Sequence, residues 1–465
     1  MEKIIINLHS ILYSDCKYQI LRDIASSFDW EIIEKEDITD CDLVWHDCTI
    51  SPDRLNSLKL YQKINHFPGM SGIFRKNSMA NNLNRFRKLF PNDYNFYPKT
   101  WVLPGDLASF KNTVKQRKKI YIMKPEASSQ GQGIYLVRGL SDIKETSHHI
   151  AQEYLINPLL IDGLKFDLRI YVLITGCDPL RIFIHEEGLA RFATEEYSPP
   201  NKQNFNDVFV HLTNYSINKN NPHFVQAAAG KKSHKRSLSS VLIQLSEIGF
   251  DVEGIWDQIC DIIVKTVITI QPSLASNYRT CQPYDYTNGM CFEILGFDII
   301  LDNNLKPWLL EVNHAPSFST DSSLDAEIKT AVISEALILV DINDKKKKEF
   351  KTETKKMQRH RSLSAKSLKP TKEESITRKI EEMKKRDTYE DSHCVGYIKL
   401  FPGCNDIYYD QFLKAASNSY YKLSTPKRSN VSFIGKGQDY EEDGRKNDQM
   451  NNISACLAKR RIAWS

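Results

Sequence analysis

Asp298 stands inside the apolar run FEILGFDIIL at 292–301, and Glu311 and Asn313 close the run PWLLEVN that follows it. A polar turn at Asp302, Asn303 and Asn304 separates the two runs, so the stretch from Cys291 to Thr320 reads as strand, turn and strand. Glu311 and Asn313 are two residues apart and share one face of an extended strand, and a hairpin brings Asp298 across from them. Carboxylates set among Leu, Ile and Phe are costly unless a cation or a hydrogen-bond network neutralises them. A hard divalent ion with oxygen ligands is the simplest such cation. A charge-rich hairpin edge facing solvent would read in the same way.

A second group of residues suits phosphate. Lys124 follows a strand at Tyr121–Met123 and leads into Ser128, Ser129, Gln130, Gly131, Gln132 and Gly133, before a strand at Ile134–Val137. Glycines at alternate positions between two strands free amide N–H groups to wrap phosphate oxygens, with Lys124 as a point charge at the base. The stretch matches neither GxxxxGK[ST] nor GxGxxG, and an ordinary tight hairpin would carry the same glycines. The strand from Ile150 to Leu155, through Gln152, Glu153 and Tyr154, has a backbone able to hydrogen-bond an adenine edge. LKFDLRIYVLI at 164–174 puts Lys165, Asp167, Arg169 and Tyr171 on one face, and Phe166, Leu168, Ile170 and Val172 on the other. That is the pattern of a wet cleft opposite an apolar core, or of a solvent-facing strand. Arg191 follows in the next strand. In HLTNYSINKNN at 211–221, Thr213, Asn214 and Lys219 are candidate phosphate or metal contacts, while His211 fits a structural and a functional role equally. Lys76 opens a helix at 76–90, where it could meet an anion.

The elements around these residues read as mixed α/β. A strand is expected at Ile4–Leu8, a helix at Tyr18–Ser27 and a strand at Leu43–Trp45. Helices are expected at Leu238–Ile248, Val252–Ile270 and Leu324–Leu339, with a mobile loop from Pro222 to Ser240. The chain has 465 residues, 41% of them hydrophobic, with 21 Tyr and 21 Phe, enough for two or three domains with real cores. No run approaches eighteen apolar residues and the first residues lack the form of a secretory signal, so neither a membrane span nor secretion is expected. Ten cysteines without a CxxC pair point to a reducing cytosol rather than a disulfide scaffold. The net charge of +5 hides a division: from Lys345 to Arg386, 17 Lys and Arg stand against 6 Glu, and the rest of the chain is net −6. Basicity confined to one segment points to a docking surface for something acidic, with an import tag or a solvated face as the bland alternatives. Within it Ile376–Arg386 reads as a short charged helix. GYIKLFPGCNDIYYDQFLKAA at 396–416 reads as a small ordered appendix, and disorder is expected after Thr425.

Taken together, a lysine and glycine-rich phosphate loop, a charged strand face and an Asp/Glu/Asn group suit ATP-driven activation of a carboxylate. Mg2+ would sit at Asp298, Glu311 and Asn313, with Lys124 and Arg169 or Arg191 stabilising charge on the transferring phosphoryl and the acyl phosphate. No Ser/His/Asp or Cys/His triad is evident. From roughly Lys3 to Asn343, with part of the basic segment, the chain resembles the tubulin tyrosine ligase-like enzymes. The motifs that carry the resemblance are KINHFPG, KPEASSQGQGI, QEYL, DGLKFDLRIYVL, EGLARFAT, HLTNYSINK, CFEILGFDIILD and PWLLEVNHAPSFSTDSSLD. The resemblance implies an ATP-grasp fold, α/β (α+β), with an N-terminal subdomain at 1–95, a central nucleotide-clamping subdomain at 96–185 and a C-terminal subdomain with the metal site at 186–343. A basic microtubule-docking segment at 344–390 and an appendix with a disordered tail at 391–465 would follow. It implies that Lys124, Gln130, Gly131, Gln132, Gly133, Gln152, Glu153, Tyr154, Leu155 and Lys165 hold ATP, with Asp167, Thr213 and Asn214 beside them. Lys76, Arg169 and Arg191 would be catalytic, and Asp298, Glu311 and Asn313 would hold magnesium.

KINHFPGM, the GCDPLR stretch at 176–181 and HAPSFSTDSSLD are more similar to the family's polyglutamylases than to its tyrosine ligase or glycylases. The expectation is therefore a monomeric enzyme that adds L-glutamate to glutamate side chains of tubulin C-terminal tails. Lys345, Lys346, Lys347, Lys348, Lys355, Lys356, Arg359 and Arg361 would grip the microtubule. It would work in the cytoplasm and cytoskeleton, with a cilium axoneme or basal body as further sites. A glycine or tyrosine ligase and a non-catalytic microtubule-binding protein are the alternatives. Nucleic acid is disfavoured because the basic stretch lacks interleaved aromatics.

Overall fold

The computed structural model describes residues 11–14, 16–33, 38, 40–126, 128, 130–144, 146–226, 233–285, 287–342, 344–363 and 372–424. Within them a mixed α/β chain is organised on three sheets. In the first, β1 (Ile11–Ser14), β2 (Glu31–Ile33), β3 (Leu43–Trp45) and β4 (Lys63–Ile64) run parallel in the order β2-β1-β3-β4. The helix Gln19–Ser27 lies between β1 and β2 and buries Ile20, Leu21, Ile24 and Ala25, one stripe at helical spacing. The expected strand at Ile4–Leu8 lies outside the described residues, and β1 occupies a run that the sequence reading left without an element.

The second sheet is antiparallel: β5 (Thr100–Val102), β6 (Tyr121–Pro125), β7 (Tyr135–Val137) and β8 (His149–Glu153) in the order β5-β8-β6-β7. The helix Leu107–Gln116 closes its own small core, with Phe110 and Val114 against Trp101, Tyr121 and Met123.

The third sheet is the widest. It holds β9 (Leu160–Ile161), β10 (Leu164–Cys177), β11 (Leu180–Phe192), β12 (Lys235–Ser237), β13 (Glu293–Leu301), β14 (Pro307–His314) and β15 (Tyr397–Phe401). Its order is β12-β11-β10-β13-β14, with β9 beside β10 and β15 beside β11. On one face Phe166, Leu168, Ile170 and Val172 meet Leu295, Phe297, Ile299 and Leu301 beneath the helices Leu238–Glu247 and Val252–Ile268. The second of those helices is apolar almost all round, which fits its burial. The other face is divided. Tyr171, Leu173, Phe183 and Leu189 are covered by the helix Ser323–Leu339, while Lys165, Asp167 and Arg169, further back on β10, are not part of that core. The alternation in β10 therefore means a cleft, as the charged face suggested.

The first sheet is stitched to the third through Ile64, whose amide donates to the Met290 carbonyl at 2.8 Å and whose carbonyl accepts from Phe292 N–H at 2.9 Å. Glu293 strengthens the joint, accepting from Phe67 N–H at 2.8 Å and facing His66 Nδ1 at 3.3 Å.

Three expectations change. The stretch 396–416 is ordered and packs its aromatics on the body, with Phe412 of the helix Asp406–Ser424 against Phe90 and Tyr94, and what changes is that it also joins the sheet, β15 pairing with β11. The segment 222–240, expected as a loop, contributes β12 and the start of a helix; 227–232 lie outside the described residues. The basic segment forms two helices, Asp344–Leu363 and Lys372–His393, in line with the helix expected within it, and what changes is that part of its charge is committed to the body. Lys346 pairs with Asp341 at 2.5 Å and Lys347 with Asp42 at 3.2 Å, because these lysines face acids that anchor the arm. β11 also runs through the 185/186 division expected from the sequence. The disorder expected after Thr425 concerns residues outside those described. Among the described residues no single helix is long and apolar enough to cross a membrane.

Candidate active site

Strand register gathers the charged residues. Asp167 on β10 lies opposite Arg191 on β11, Arg169 on β10 opposite Asp298 on β13, and Asp298 opposite Glu311 on β14. Side chains directly opposite one another share a face, so four strands present one ionic row. Arg191 grips Asp167 with two bonds, Nε to Oδ1 at 2.7 Å and Nη2 to Oδ2 at 2.8 Å, and reaches Asp298 Oδ2 at 2.7 Å. Arg169 takes Asp298 from the other side, Nε to Oδ1 at 2.5 Å and Nη2 to Oδ2 at 3.1 Å. Thr213 Oγ1 donates to Asp167 Oδ2 at 2.5 Å. Asp298 is 2% exposed. Burial alone would push its carboxyl up, but Arg169 and Arg191 together outweigh it and hold the group ionised well below the usual carboxylate range.

An irregularity in the β13–β14 pairing follows Asp298: it faces Glu311, while Ile299 faces Leu309. The extra residue, Leu310, is accommodated as a bulge, which re-aims the strand beside the cleft. Asn313 Nδ2 then lies 3.2 Å from Asp298 Oδ2 and 3.3 Å from Glu311 Oε1. Its amide oxygen beside the Asp298 and Glu311 carboxylates makes a set of oxygen donors of the kind a hard divalent cation takes. The donor set therefore fits magnesium. Lys76 Nζ stands 3.8 Å from Glu311 Oε2 and donates to the Ser128 carbonyl at 2.9 Å. A second cluster, His66, Glu293 and His314, offers ligand atoms within 4.8 Å of one another. Its Glu293 is already held by His66 and by the Phe67 amide, so it reads as the joint between sheets.

Two cavities meet at this row. The narrow one, about 80 Å³, lies between the second and third sheets and is lined by Lys124, Gln152, Tyr154, Leu155, Lys165 and Asp167, with Ile122, Ile134, Leu212 and Ile300 as apolar walls. Glu153, Thr213, Asn214, Gln130 and Gly131 also border it. Lys124 Nζ donates to Gln152 Oε1 at 2.9 Å, and Gln152 is held in turn by Thr100 Oγ1 at 2.9 Å. Lys165 Nζ donates to Tyr154 Oη at 3.0 Å and to the His211 carbonyl at 2.8 Å. Burial lowers both ammonium groups, to about 8 for Lys124 and about 7 for Lys165. The wide cavity, about 630 Å³, is lined by Arg169, Arg191, Lys76, Glu311 and Asn313.

The glycine loop adopts the turn its residues allow. Gln130, Gly131 and Gly133 have φ of 61°, 77° and 70°, and a Cβ on Gly131 would run into Ile217. The loop is thus folded down on the 215–218 segment, with Ser216 Oγ donating to the Gln130 carbonyl at 3.1 Å. Gln130 and Gly131 face the narrow cavity. Gln132 instead borders an outer groove with Phe209 and Ser216, and Gly133 turns the chain against Pro125. Those two expected contacts are not brought to the cavity, because the chain turns away from it after Gly131. Ser129 lies outside the described residues.

A cationic pair on the wide cavity, Lys235 and Lys329, has no local signature in the sequence. Lys235 Nζ lies 2.6 and 2.5 Å from the two oxygens of Asp325, and Lys329 Nζ lies 2.7 Å from Oδ1 of the same carboxylate, which is fully buried. The i, i+4 spacing of Asp325 and Lys329 was visible; Lys235 was hidden in the presumed loop.

The model of the family described as "Tubulin-tyrosine ligase family" matches residues 54–384. The chain is 47% identical over 396 residues to a probable beta-tubulin polyglutamylase of Tetrahymena thermophila, covering 84% of this chain and 33% of that protein. It is 45% identical over 487 residues to tubulin polyglutamylase TTLL13 of Homo sapiens, covering 98% and 59% of the two chains. It is 44% identical over 421 residues to tubulin polyglutamylase TTLL6 of Mus musculus, covering 90% and 50%. The chain thus spans between about a third and three-fifths of the length of these relatives.

Proposed function

The chain belongs to the tubulin-tyrosine ligase family, and from that premise we propose that it is an ATP-dependent ligase adding L-glutamate to glutamate side chains in tubulin C-terminal tails. The observation that carries the reading is the ionic row of Asp167, Arg191, Arg169, Asp298 and Glu311 where the narrow and wide cavities meet. The names of the three relatives support the tubulin substrate and the polyglutamylase branch. In this reading the three sheets are the N-terminal, clamping and C-terminal parts of an ATP-grasp fold. The divisions between them follow sheet membership, with the basic arm and the C-terminal strand and helix added to the third.

ATP would lie in the narrow cavity, its adenine between the apolar walls and against the backbone at Glu153–Leu155. Lys124 and Lys165 would meet its phosphates beneath Gln130 and Gly131. Asp298, Glu311 and Asn313 would hold Mg2+, which when bound neutralises phosphate charge. The acceptor carboxylate, entering through the wide cavity, would attack the γ-phosphorus, giving an acyl phosphate and ADP. The amine of glutamate would then attack the acyl carbon, and inorganic phosphate would leave as the amide forms. Arg169 and Arg191 would stabilise the negative charge that develops on the transferring phosphoryl and the acyl oxygen. Lys76, beside Glu311, would do the same from the opposite wall. Lys235 and Lys329, oriented by Asp325 and with Asp321 nearby, would meet the side-chain carboxylate of an acidic amino acid, favouring it over glycine or tyrosine. The chain would act as a monomer, and the exposed part of the basic arm would dock on the microtubule. Cytoplasm and cytoskeleton, including an axoneme or basal body, are the proposed locations.

Incubation with microtubules, ATP, Mg2+ and labelled glutamate tests this directly, with label expected in the tubulin tail. Absence of label there, or equal incorporation of glycine or tyrosine in competition, overturns the assignment. Glu311→Gln should abolish turnover while microtubule sedimentation is retained.

A further inference from the structure

His211 has no part in the chemistry above, yet it is 3% exposed and lines the narrow cavity. The hydrogen-bond directions around it are set from two ends. In its ammonium form, which a bound anion favours, Lys165 has donors only and donates to Tyr154 Oη, 3.0 Å away. A carbonyl has acceptors only, so His211 Nε2, 2.9 Å from the Asn204 carbonyl, must carry a proton. In a neutral ring Nδ1 is then a lone pair, and it lies 3.1 Å from Tyr154 Oη, where it can take the phenol proton. Burial and the neighbouring Lys165 push the imidazole down to about 4, which keeps it neutral, and Asp207 is the one acid that opposes them. Tyr197 donates its own hydroxyl to the Ile156 carbonyl at 2.6 Å, and its oxygen is a second hydrogen-bond partner of Tyr154 beside His211. The main chain of His211 completes the arrangement, its carbonyl accepting from Lys165 at 2.8 Å.

We infer that His211 is a positioning residue for nucleotide binding: through Tyr154 it fixes the direction of the Lys165 ammonium, two of whose N–H groups are taken by Tyr154 and the His211 carbonyl while the third is left for the cavity. The chain runs from Asn204 through His211 and Tyr154 to Lys165, so the outer segment 204–211 sets the geometry of a lysine on β10. Thr213, two residues on, holds Asp167 on the same strand by its own hydroxyl. The inference rests on the proposed ATP site and deepens it.

The test measures binding of a non-hydrolysable ATP analogue with Mg2+ to the full chain by calorimetry, alongside KM for ATP and kcat. Tyr154→Phe removes one hydroxyl and keeps the ring packing; His211→Leu removes the relay; His211→Asn retains an acceptor near the Nδ1 position. Tyr154→Phe and His211→Leu should each weaken analogue binding about tenfold, the scale of one hydrogen bond to a charged group. KM should rise with kcat nearly unchanged. The double variant should be no weaker than either single one, since both cut the same chain, and His211→Asn should restore most of the affinity. Wild-type affinity in Tyr154→Phe, or additive losses in the double variant, would overturn the inference. If the unmodified chain does not bind the analogue at all, the ATP site itself is wrong, a different result from a chain that binds it regardless of His211.

Discussion

Asp298 shows what a residue's surroundings add to its type. Two guanidinium groups meet one buried carboxylate, and each arginine is gripped in a planar, two-bond geometry that a lysine cannot copy. Arg191→Lys should therefore keep the charge and lose the function, with kcat reduced about a hundredfold on the scale of a lost charge-stabilising donor. Steady-state glutamylation beside an unchanged circular dichroism spectrum checks it. Lys165 supplies a pH prediction. Burial brings its ammonium down to about 7, and an anion bound beside it raises that value. Binding and protonation are then linked: ATP affinity is full below about pH 7 and falls as pH rises through 7 to 9, by at most about tenfold per unit. Titration of analogue binding in the unmodified chain and in Lys165→Met reads this, and the slope should vanish in the variant. At this scale the sequence was informative, since Lys165, Asp167 and Arg169 share a face by strand geometry alone. It could not tell that Asp298 would meet both arginines, because that needs the register of three strands.

Elements explain why the site is open on one side and anchored on the other. β10 and β13 are apolar enough to be central strands, and the helix Ser323–Leu339 covers only part of their second face. The turn at 130–133 closes over the 215–218 segment because Gly131 has no side chain where Ile217 sits. Gly131→Ala combines a left-handed φ with that collision and should weaken analogue binding several-fold, measured by calorimetry, with little change in thermal stability because the turn lies outside the core. The helix Lys372–His393 is fastened by a buried cluster. Arg181 Nη1 lies 2.5 Å from Glu390 Oε2 and 2.7 Å from Asp387 Oδ1, and Arg386 Nε lies 2.8 Å from Glu390 Oε1. Arg181→Ala leaves Glu390 buried with one partner fewer, and a loss of about 3–5 kcal/mol is expected. Denaturant unfolding would measure it, with early proteolysis within 372–393 as the sign that the helix has come away. Sequence periodicity located Leu238–Glu247, Val252–Ile268 and Ser323–Leu339 closely, because each buries an apolar face. It caught only the middle of Lys372–His393, whose charged surface carries no such stripe. The sheet membership of 397–401 was not legible, since a five-residue strand carries no mark of its partner.

Across the whole molecule, a net-negative body carries a positive arm, and the two are partly neutralised where they touch. Lys347 faces Asp42 and Lys351 faces Asp40 at 3.1 Å, while Lys355 and Lys356 are exposed. Glutamate at 355 and 356 should weaken microtubule co-sedimentation and flatten its salt dependence, leaving the melting temperature unchanged. Lys347→Glu should do the reverse, lowering the melting temperature by setting two acids together. The sequence by itself determined the chemistry available, because a carboxylate, a guanidinium or a flexible glycine turn is a property of residue type and local spacing. It determined the faces of the long strands for the same reason, a two-residue period that needs no partner. Only the tertiary structure decided which charges meet. Asp298 with Arg169 and Arg191, Lys235 with Asp325, and Lys347 with Asp42 all join residues far apart in the chain. Their pairing depends on strand register and helix docking, which are set by the packing of the apolar faces behind them.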